Sequence, residues 1–192
     1  MINMLLDELP EEIDGYAINS DFRISILFEL LMQDREIKNE DKVKQALVLY
    51  YPDIEKITDY KKAIDNIIWF YKCGEKEKKV DEELKESNEN NKQKQIYSYE
   101  FDAKYIYSAF MEQYNIDLNS INYLHWWKFK ALFNSLNENV LFSKIMSYRA
   151  ININKIKDKT LRKNYKKLKE LYKLPDMRSE EEKEEDFANA LW

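Results

Sequence analysis

The residues with the clearest potential for chemistry are a lone histidine, His125, and a lone cysteine, Cys73. A Cys–His pair performs nucleophilic catalysis when the imidazole activates the thiol and a third group orients the imidazole. Here the cysteine and the histidine fall in different predicted lobes, so they would have to meet across them. A buried thiol and a histidine hydrogen-bonded at a helix surface explain the same two residues. A structural zinc site needs four Cys or His ligands, so the sequence predicts no zinc.

Other patterns associated with catalysis or cofactors are missing from the sequence. The acidic residues do not have the Asp-x-Asp-x-Asp-Gly spacing of a calcium loop. With two glycines, Gly15 and Gly74, the chain cannot form a phosphate-binding Gly-x-x-x-x-Gly-Lys or Gly-x-Gly-x-x-Gly loop. Carboxylates are too frequent to identify a catalytic pair, since Asp and Glu together number 36. We therefore expect a protein that is not an enzyme and that needs no metal or cofactor.

A basic stretch, Lys155–Lys173, is the strongest candidate for nucleic-acid binding, because it carries nine cations against Asp158 and Glu170. Against this hypothesis stand a sequence pI of about 5.2 and seven acids in residues 176–192. The stretch also has few polar side chains that could read bases. A helix that docks through its apolar stripe and leaves its lysines in solvent explains the same pattern, and we favour that interpretation.

Charge elsewhere is also uneven, and the net charge is −5. Residues 1–41 carry eleven acids against three bases. Oppositely charged segments of this kind pair within a fold or between subunits. The single cysteine fits a reducing compartment such as a cytoplasm, and no run approaches the ~18 apolar residues of a membrane span. We expect a cytoplasmic protein with no membrane contact.

The elements that must position these residues are mostly helices, because two glycines and three prolines are too few for the many turns of a strand-rich fold. The predicted fold is mainly α: a helical domain with a short N-terminal β-hairpin at Asp14-Gly15, a polar linker in the middle and an acidic C-terminal tail. Asp21 or Ser20 is predicted to cap the first helix. The predicted helices cover about residues 21–32, 39–51, 59–73, 101–114, 120–133, 138–148 and 157–174.

The chain is predicted to divide at a polar stretch that cannot bury a core of its own. We expect a hairpin plus helical lobe at residues 1–74, a polar flexible linker at 75–95, a C-terminal helical lobe at 96–175 and an acidic tail at 176–192.

The aromatic helix in the second lobe, Tyr123–Phe133, holds two of the four tryptophans and the histidine. Its apolar side chains cover so much of the circumference that it is either a central core helix or a partner-binding helix. Adjacent helix positions diverge by about 100°, so one of Trp126 and Trp127 can face the core while the other faces a partner. Asn119 or Ser120 is available as its N-cap.

Seven short motifs follow one another along the chain: Asp21-Phe22-Arg23, Tyr51-Pro52, Ile68-Trp69-Phe70-Tyr71-Lys72-Cys73-Gly74, Phe101-Asp102-Ala103, Tyr123-Leu124-His125-Trp126-Trp127-Lys128-Phe129, Phe142-Ser143-Lys144-Ile145-Met146-Ser147-Tyr148-Arg149 and Lys155-Ile156-Lys157-Asp158-Lys159. Their order and spacing resemble the bacteriophage "gene product fifteen" family of tailed-phage proteins from Gram-positive hosts. The resemblance covers roughly residues 5–175, and the linker and tail match in character alone. The individual motifs carry no known chemistry.

The family lies among tail genes near the tape-measure gene. The resemblance therefore implies a tail assembly chaperone, an oligomer that coats the phage tape-measure protein and helps recruit the tail-tube protein. Our hypothesis is that surface-facing members of two segments line an apolar groove for the tape measure: Tyr123, His125, Trp126, Trp127, Phe129, Lys130, Phe133, Phe142, Met146, Tyr148 and Arg149. Self-association between neighbouring copies is assigned to Lys163, Lys166, Lys167, Phe187 and Trp192. The alternative is a helical nucleic-acid-binding or regulatory phage protein that uses residues 155–173.

Overall fold

Seven α-helices and one β-hairpin account for most of the chain that the structure, a computed structural model, describes, which is residues 2–75 and 95–176. This confirms the mainly α prediction. Two short 3-10 turns, Ile54–Lys56 and Ile153–Lys155, lie between helices. The strands are β1 (Glu12–Ile13) and β2 (Tyr16–Ala17), and the helices are α1 (Phe22–Gln33), α2 (Asn39–Tyr50), α3 (Tyr60–Tyr71), α4 (Ala103–Tyr114), α5 (Trp126–Asn134), α6 (Leu141–Ala150) and α7 (Lys159–Leu171).

The predicted hairpin forms at Asp14-Gly15, because both residues adopt the positive φ angles that a tight two-residue turn requires, 52° and 81°. Its two strands pair antiparallel, with Glu12 opposite Ala17 and Ile13 opposite Tyr16. The hairpin leads directly into α1, whose N-cap is Asp21 as predicted. The Asp21 carboxylate accepts a hydrogen bond from the backbone N–H of Arg23 at 3.0 Å.

The aromatic helix α5 begins later than predicted, at Trp126, and neither Asn119 nor Ser120 caps it. The reason is a short extended pairing between the two halves of the chain. Trp126 N donates to Ser20 O at 2.8 Å, and Phe22 N donates to Leu124 O at 2.9 Å. This pairing keeps His125 out of the helical conformation, with φ −56° and ψ 136°, so the helix starts immediately after it at Trp126. Its N-cap is His125.

Helix α3 ends in a left-handed turn. Cys73 N donates to Phe70 O at 2.9 Å, Gly74 N donates to Trp69 O at 3.0 Å, and Cys73 itself has a φ of 55°. This is the hydrogen-bond pattern of a Schellman motif. Gly74, the predicted end of the helix, follows with a φ of 73°. Two carbonyls of the last turn face α5 and have partners there.

One hydrophobic core includes residues from both sides of residues 76–94. Phe129 of α5 lies at its centre. Its ring stacks on Phe22 of α1, Phe110 of α4 and Trp126, with centroid distances of 4.8, 5.1 and 5.7 Å. The division into two lobes stays a prediction, and the two halves of the chain share this core. The predicted linker, apart from its two ends, and the acidic tail beyond Asp176 lie outside the described residues.

None of the helices in the described ranges combines the length and the apolar character needed to cross a membrane.

Candidate partner interface

The two tryptophans of α5 are fixed in the core by the end of α3. The Trp126 indole N–H donates to Tyr71 O at 2.9 Å, and the Trp127 indole N–H donates to Phe70 O at 2.8 Å. Trp126 also stacks on Tyr71, and Trp127 meets Trp69 edge to face at 5.6 Å. We call this set of contacts the α3–α5 junction. It gives Tyr71 O, in the last turn of α3, a strong hydrogen-bond donor, and it adds a second donor to Phe70 O, which already accepts from Cys73 N.

The residues predicted to line the partner groove therefore divide into a buried and an accessible set. Neither tryptophan offers the outward face that the sequence suggested, since their exposed fractions are 0% and 2%. The spacing of residues along a helix shows which side chains share a face. It does not show that other parts of the protein pack on more than one face of α5. The buried set is His125, Trp126, Trp127, Phe129, Phe133, Phe142 and Arg149, and the accessible set is Tyr123, Lys130, Met146 and Tyr148.

His125 has a structural role that involves both ring nitrogens. Nδ1 accepts the backbone N–H of Trp127 at 3.1 Å, which caps α5, and Nε2 lies 3.1 Å from Pro10 O. Because Nδ1 accepts, the proton is on Nε2, which donates to Pro10. Burial lowers the pKa of His125, since the charged imidazolium loses hydration. A standard list of N-cap residues does not include histidine, so the sequence did not predict this role.

Cys73 shows none of the activation that a nucleophilic thiol needs. Burial raises its pKa to about 11, so the thiol stays protonated at neutral pH. With both nitrogens of His125 already hydrogen-bonded, the geometry does not support a Cys–His catalytic pair. Among the described residues, no group of three or more His, Cys, Asp or Glu side chains could hold a metal ion.

Arg149 and Asp102 form a buried bidentate ion pair that the sequence did not predict. Arg149 Nη1 lies 2.5 Å from one carboxylate oxygen and Nη2 lies 2.9 Å from the other. The same guanidinium donates to Tyr172 O, just after α7, and to Ile96 O. The backbone N–H of Ser98 donates to Asp102. Arg149 was predicted to contact a partner, but it connects α4, α6 and the end of α7 inside the protein.

The accessible members of the predicted set lie in different surroundings. Tyr123 is 45% exposed, and its hydroxyl donates to Glu11 and accepts from Ser20. The Lys130 ammonium lies 5.4 Å from the Trp126 ring centroid, and Met146 is half-buried against the core. Tyr148 packs between α6 and α7, where its ring contacts Tyr165 and Tyr172.

Helix α7 is the most accessible of the seven described helices. Each of the others buries three or four residues, whereas α7 buries none. Its apolar stripe packs on α6 through Tyr165, while Leu161 is 48% and Leu171 71% exposed. Its cations are Lys159, Arg162, Lys163, Lys166, Lys167 and Lys169. Of the residues predicted to mediate self-association, the lysines Lys163, Lys166 and Lys167 are exposed, and Phe187 and Trp192 lie outside the described residues.

An open cleft of about 620 Å³ lies between the end of α1, residues 95–97 and the ends of α6 and α7. Its polar lining includes Glu29, Gln33, Gln95 and Lys169. Tyr71 donates a hydrogen bond to Glu29 beside it. This polar lining does not match the apolar groove that the sequence led us to expect. The exposed apolar residues of α7, together with the adjoining part of α6, therefore form the better candidate interface.

Comparison with known proteins places the chain in a protein family through one family model. No curated protein and no solved structure matches the chain. The family model described as Bacteriophage Gp15 protein matches residues 5–174, which include all seven helices and the hairpin. The match covers most of the 192 residues and agrees with the resemblance carried by the seven motifs. The chain therefore belongs to the bacteriophage Gp15 protein family.

Proposed function

We propose that this phage protein is a tail assembly chaperone that binds the tape-measure protein in the host cytoplasm and aids addition of tail-tube subunits. Membership of the Gp15 family supports a phage role. The observation that carries the proposal is α7, which has an incompletely covered apolar stripe beside a cationic face. An amphipathic helix of this kind suits a helical partner, because apolar positions supply contact area and charges select the partner. The proposed function needs no catalytic residue.

The proposed binding surface is centred on α6 and α7 rather than on the tryptophans of α5. Tyr148, Leu161 and Leu171 supply apolar contact area, and α7 supplies the cations. Tyr123, Lys130 and Met146 stay predicted contacts for the same partner. The buried members of the original set act indirectly, because they hold α5 and α6 in place.

Weak binding by each copy is compatible with this function. A tape-measure protein is long and largely helical, so many copies of the chain could bind along it. Copies bound side by side gain avidity without a tight individual site, and each copy remains removable when the tail tube replaces it.

Co-expression with the tape-measure protein from the same phage tests the proposal. We expect the tape measure to become soluble and to co-purify with many copies of this chain. Leu161→Ser with Leu171→Ser is expected to weaken co-purification. The matched control is Leu27→Ser with Val48→Ser, which changes exposed apolar residues on α1 and α2. A tape measure that stays insoluble and free of this chain would contradict the chaperone function, and equal effects of both variants would contradict the α7 surface.

Self-association of neighbouring copies is a second part of the proposal. It assigns the contact to Lys163, Lys166 and Lys167 of one copy and to the acidic tail, with Phe187 and Trp192, of the next. Deletion of residues 176–192 is expected to reduce the mass of the oligomer in light scattering. An unchanged mass would remove the tail from the contact.

The alternative function is nucleic-acid binding through residues 155–173, which the exposed cations of α7 favour. In that case Lys163→Glu with Lys167→Glu would weaken DNA binding and reduce its dependence on salt concentration. No DNA binding by the unaltered protein at low salt would exclude this alternative.

A further inference from the structure

Helix α7 leaves one face open that is both apolar and cationic. Thr160, Asn164, Lys167 and Leu171 follow the helical spacing along this face, and all four are exposed. Lys163 lies beside it, whereas Leu161, although 48% exposed, lies on the side of Tyr165 that packs on α6. Over its 13 residues α7 has six cations and one acid, a formal charge of +5. A face with this composition is complementary to an acidic segment that also carries large apolar side chains.

The chain itself continues with a segment of that composition. The described residues end at Asp176, five positions after α7 ends. Residues 177–192 contain six acids and two bases, a formal charge of −4. They also contain Met177 at one end and Phe187, Leu191 and Trp192 near the other. The segment therefore complements the open face in charge and in apolar character.

The spacing of the two sequences agrees when the segment is placed antiparallel to α7, with residues counted outward from Leu174. Glu181 then lies opposite Lys167, and Glu185 lies opposite Lys163. In the same register Met177 falls opposite Leu171. Acids thus align with bases in the middle of the face, and Met177 aligns with the exposed Leu171 at the end next to the connection.

We infer that residues 177–192 dock antiparallel on the open face of α7 within the same chain, and that the contact between copies proposed above replaces this intrachain contact when the protein associates. The geometry allows it, because α7 is about 20 Å long and sixteen residues span about 24 Å even at the short rise of a helix. The connecting residues, Tyr172–Asp176, match the usual length of helix–helix connections. A tether this short gives the segment an effective concentration in the millimolar range, which favours its own α7 over that of another copy at low protein concentration.

The experiment compares full-length variants by amide hydrogen exchange of α7 at concentrations where light scattering shows a monomer. Lys163→Glu with Lys167→Glu removes the basic side of the match, and Glu181→Lys with Glu185→Lys removes the acidic side. We expect each pair to speed exchange in α7 by about fivefold or more. Combining the four substitutions re-creates opposite charges in the same register and is expected to restore slow exchange. The matched control, Lys61→Glu with Lys144→Glu, reverses two exposed lysines outside α7 and is expected to leave exchange in α7 unchanged.

Three results would overturn the inference. Unchanged exchange in either reversed pair would show that the segment does not cover α7. Failure of the fourfold variant to restore slow exchange would show that the predicted register is wrong. Protection that appears only as the protein associates would assign the occupant to a second copy. The experiment uses this chain alone, so its result is independent of whether the protein binds a tape measure.

Discussion

Removing one partner of the Asp102–Arg149 pair is expected to destabilise the protein more than any exposed charge substitution. The two side chains are 1% and 7% exposed, so a charge left alone there is not hydrated. In Arg149→Met the Asp102 carboxylate keeps the Ser98 N–H but loses both guanidinium contacts. Breaking a buried ion pair from one side costs about 3 to 5 kcal/mol.

Arg149→Met also removes one of the contacts that hold the end of α7, because Nε of the same guanidinium donates to Tyr172 O at 2.5 Å. A loss of about 3 to 5 kcal/mol is a large fraction of the roughly 5 to 15 kcal/mol that stabilises a typical domain. The double variant, Asp102→Leu with Arg149→Met, removes both charges and leaves no unpaired ion. We therefore expect it to lose less stability than the sum of the two single variants.

The assay is equilibrium unfolding in urea, followed by far-ultraviolet circular dichroism. The single variants should lower the midpoint with an unchanged denaturant slope, since the surface exposed on unfolding is the same. Lys44→Met is the control, because Lys44 forms an exposed pair with Asp41 at 3.4 Å, and its midpoint should not change measurably. The reasoning is refuted if Arg149→Met alone or Asp102→Leu alone lowers the free energy of unfolding by less than about 1 kcal/mol. It is also refuted if the double variant loses as much stability as the two single variants added together.

The remaining predictions concern the α3–α5 junction. Trp127→Phe removes the indole donor to Phe70 O and part of a buried ring, so urea unfolding should show a loss of about 2 to 4 kcal/mol; a loss below about 1 kcal/mol would contradict the hydrogen bond's role. Gly74→Ala should cost about 2 to 4 kcal/mol, because the residue has a φ of 73° and its added Cβ would lie 2.9 Å from the Trp127 ring. The same substitution should cost less beside Trp127→Phe, and equal costs would exclude that clash. Burial lowers the pKa of His125 below its usual 6.5 in the folded protein, so the unfolded chain binds a proton on this histidine more readily. The stability that neutral His125 contributes is therefore full above pH 6.5, and it falls as the pH drops toward the folded-state pKa. His125→Asn keeps a capping side chain and should reduce the loss of stability between about pH 7 and about pH 5, and an unchanged acid-induced loss in denaturant midpoints would contradict this assignment.

Local signals in the sequence predicted local structure well. Asp14-Gly15 identified the hairpin turn, and Asp21 identified the start of α1, because each effect involves residues a few positions apart. The His125 cap was missed, since it depends on a backbone pairing between Ser20 and Trp126 that joins distant parts of the chain. The Asp102–Arg149 pair was missed for a similar reason, because nothing in a sequence with 67 charged Asp, Glu, Lys and Arg residues distinguishes the two that meet in the core.

The exposure of the aromatic residues was the least predictable feature of the candidate site. Periodicity correctly placed Trp126 and Trp127 on adjoining faces of a helix, but it does not show how many neighbours surround that helix. Phe129 is enclosed by rings from α1, α4 and α5, and the tryptophans face the end of α3. The strong amphipathicity of α7 was visible in the sequence, yet its peripheral position became evident only from the packing of α6.

The α3–α5 junction has a consequence for the order in which the chain folds during synthesis. Helix α3 is complete once Gly74 has left the ribosome, but the indole partners of Phe70 and Tyr71 follow about 50 residues later. At roughly 5 to 20 residues per second, this delay lasts about 3 to 10 s. Throughout that interval the aromatic face at the end of α3 has no cover from α5 and is open to contact with other nascent chains. Slower translation between residues 75 and 127 lengthens the exposure, so the codon choice in that stretch should influence the soluble yield more than the codon choice after residue 134.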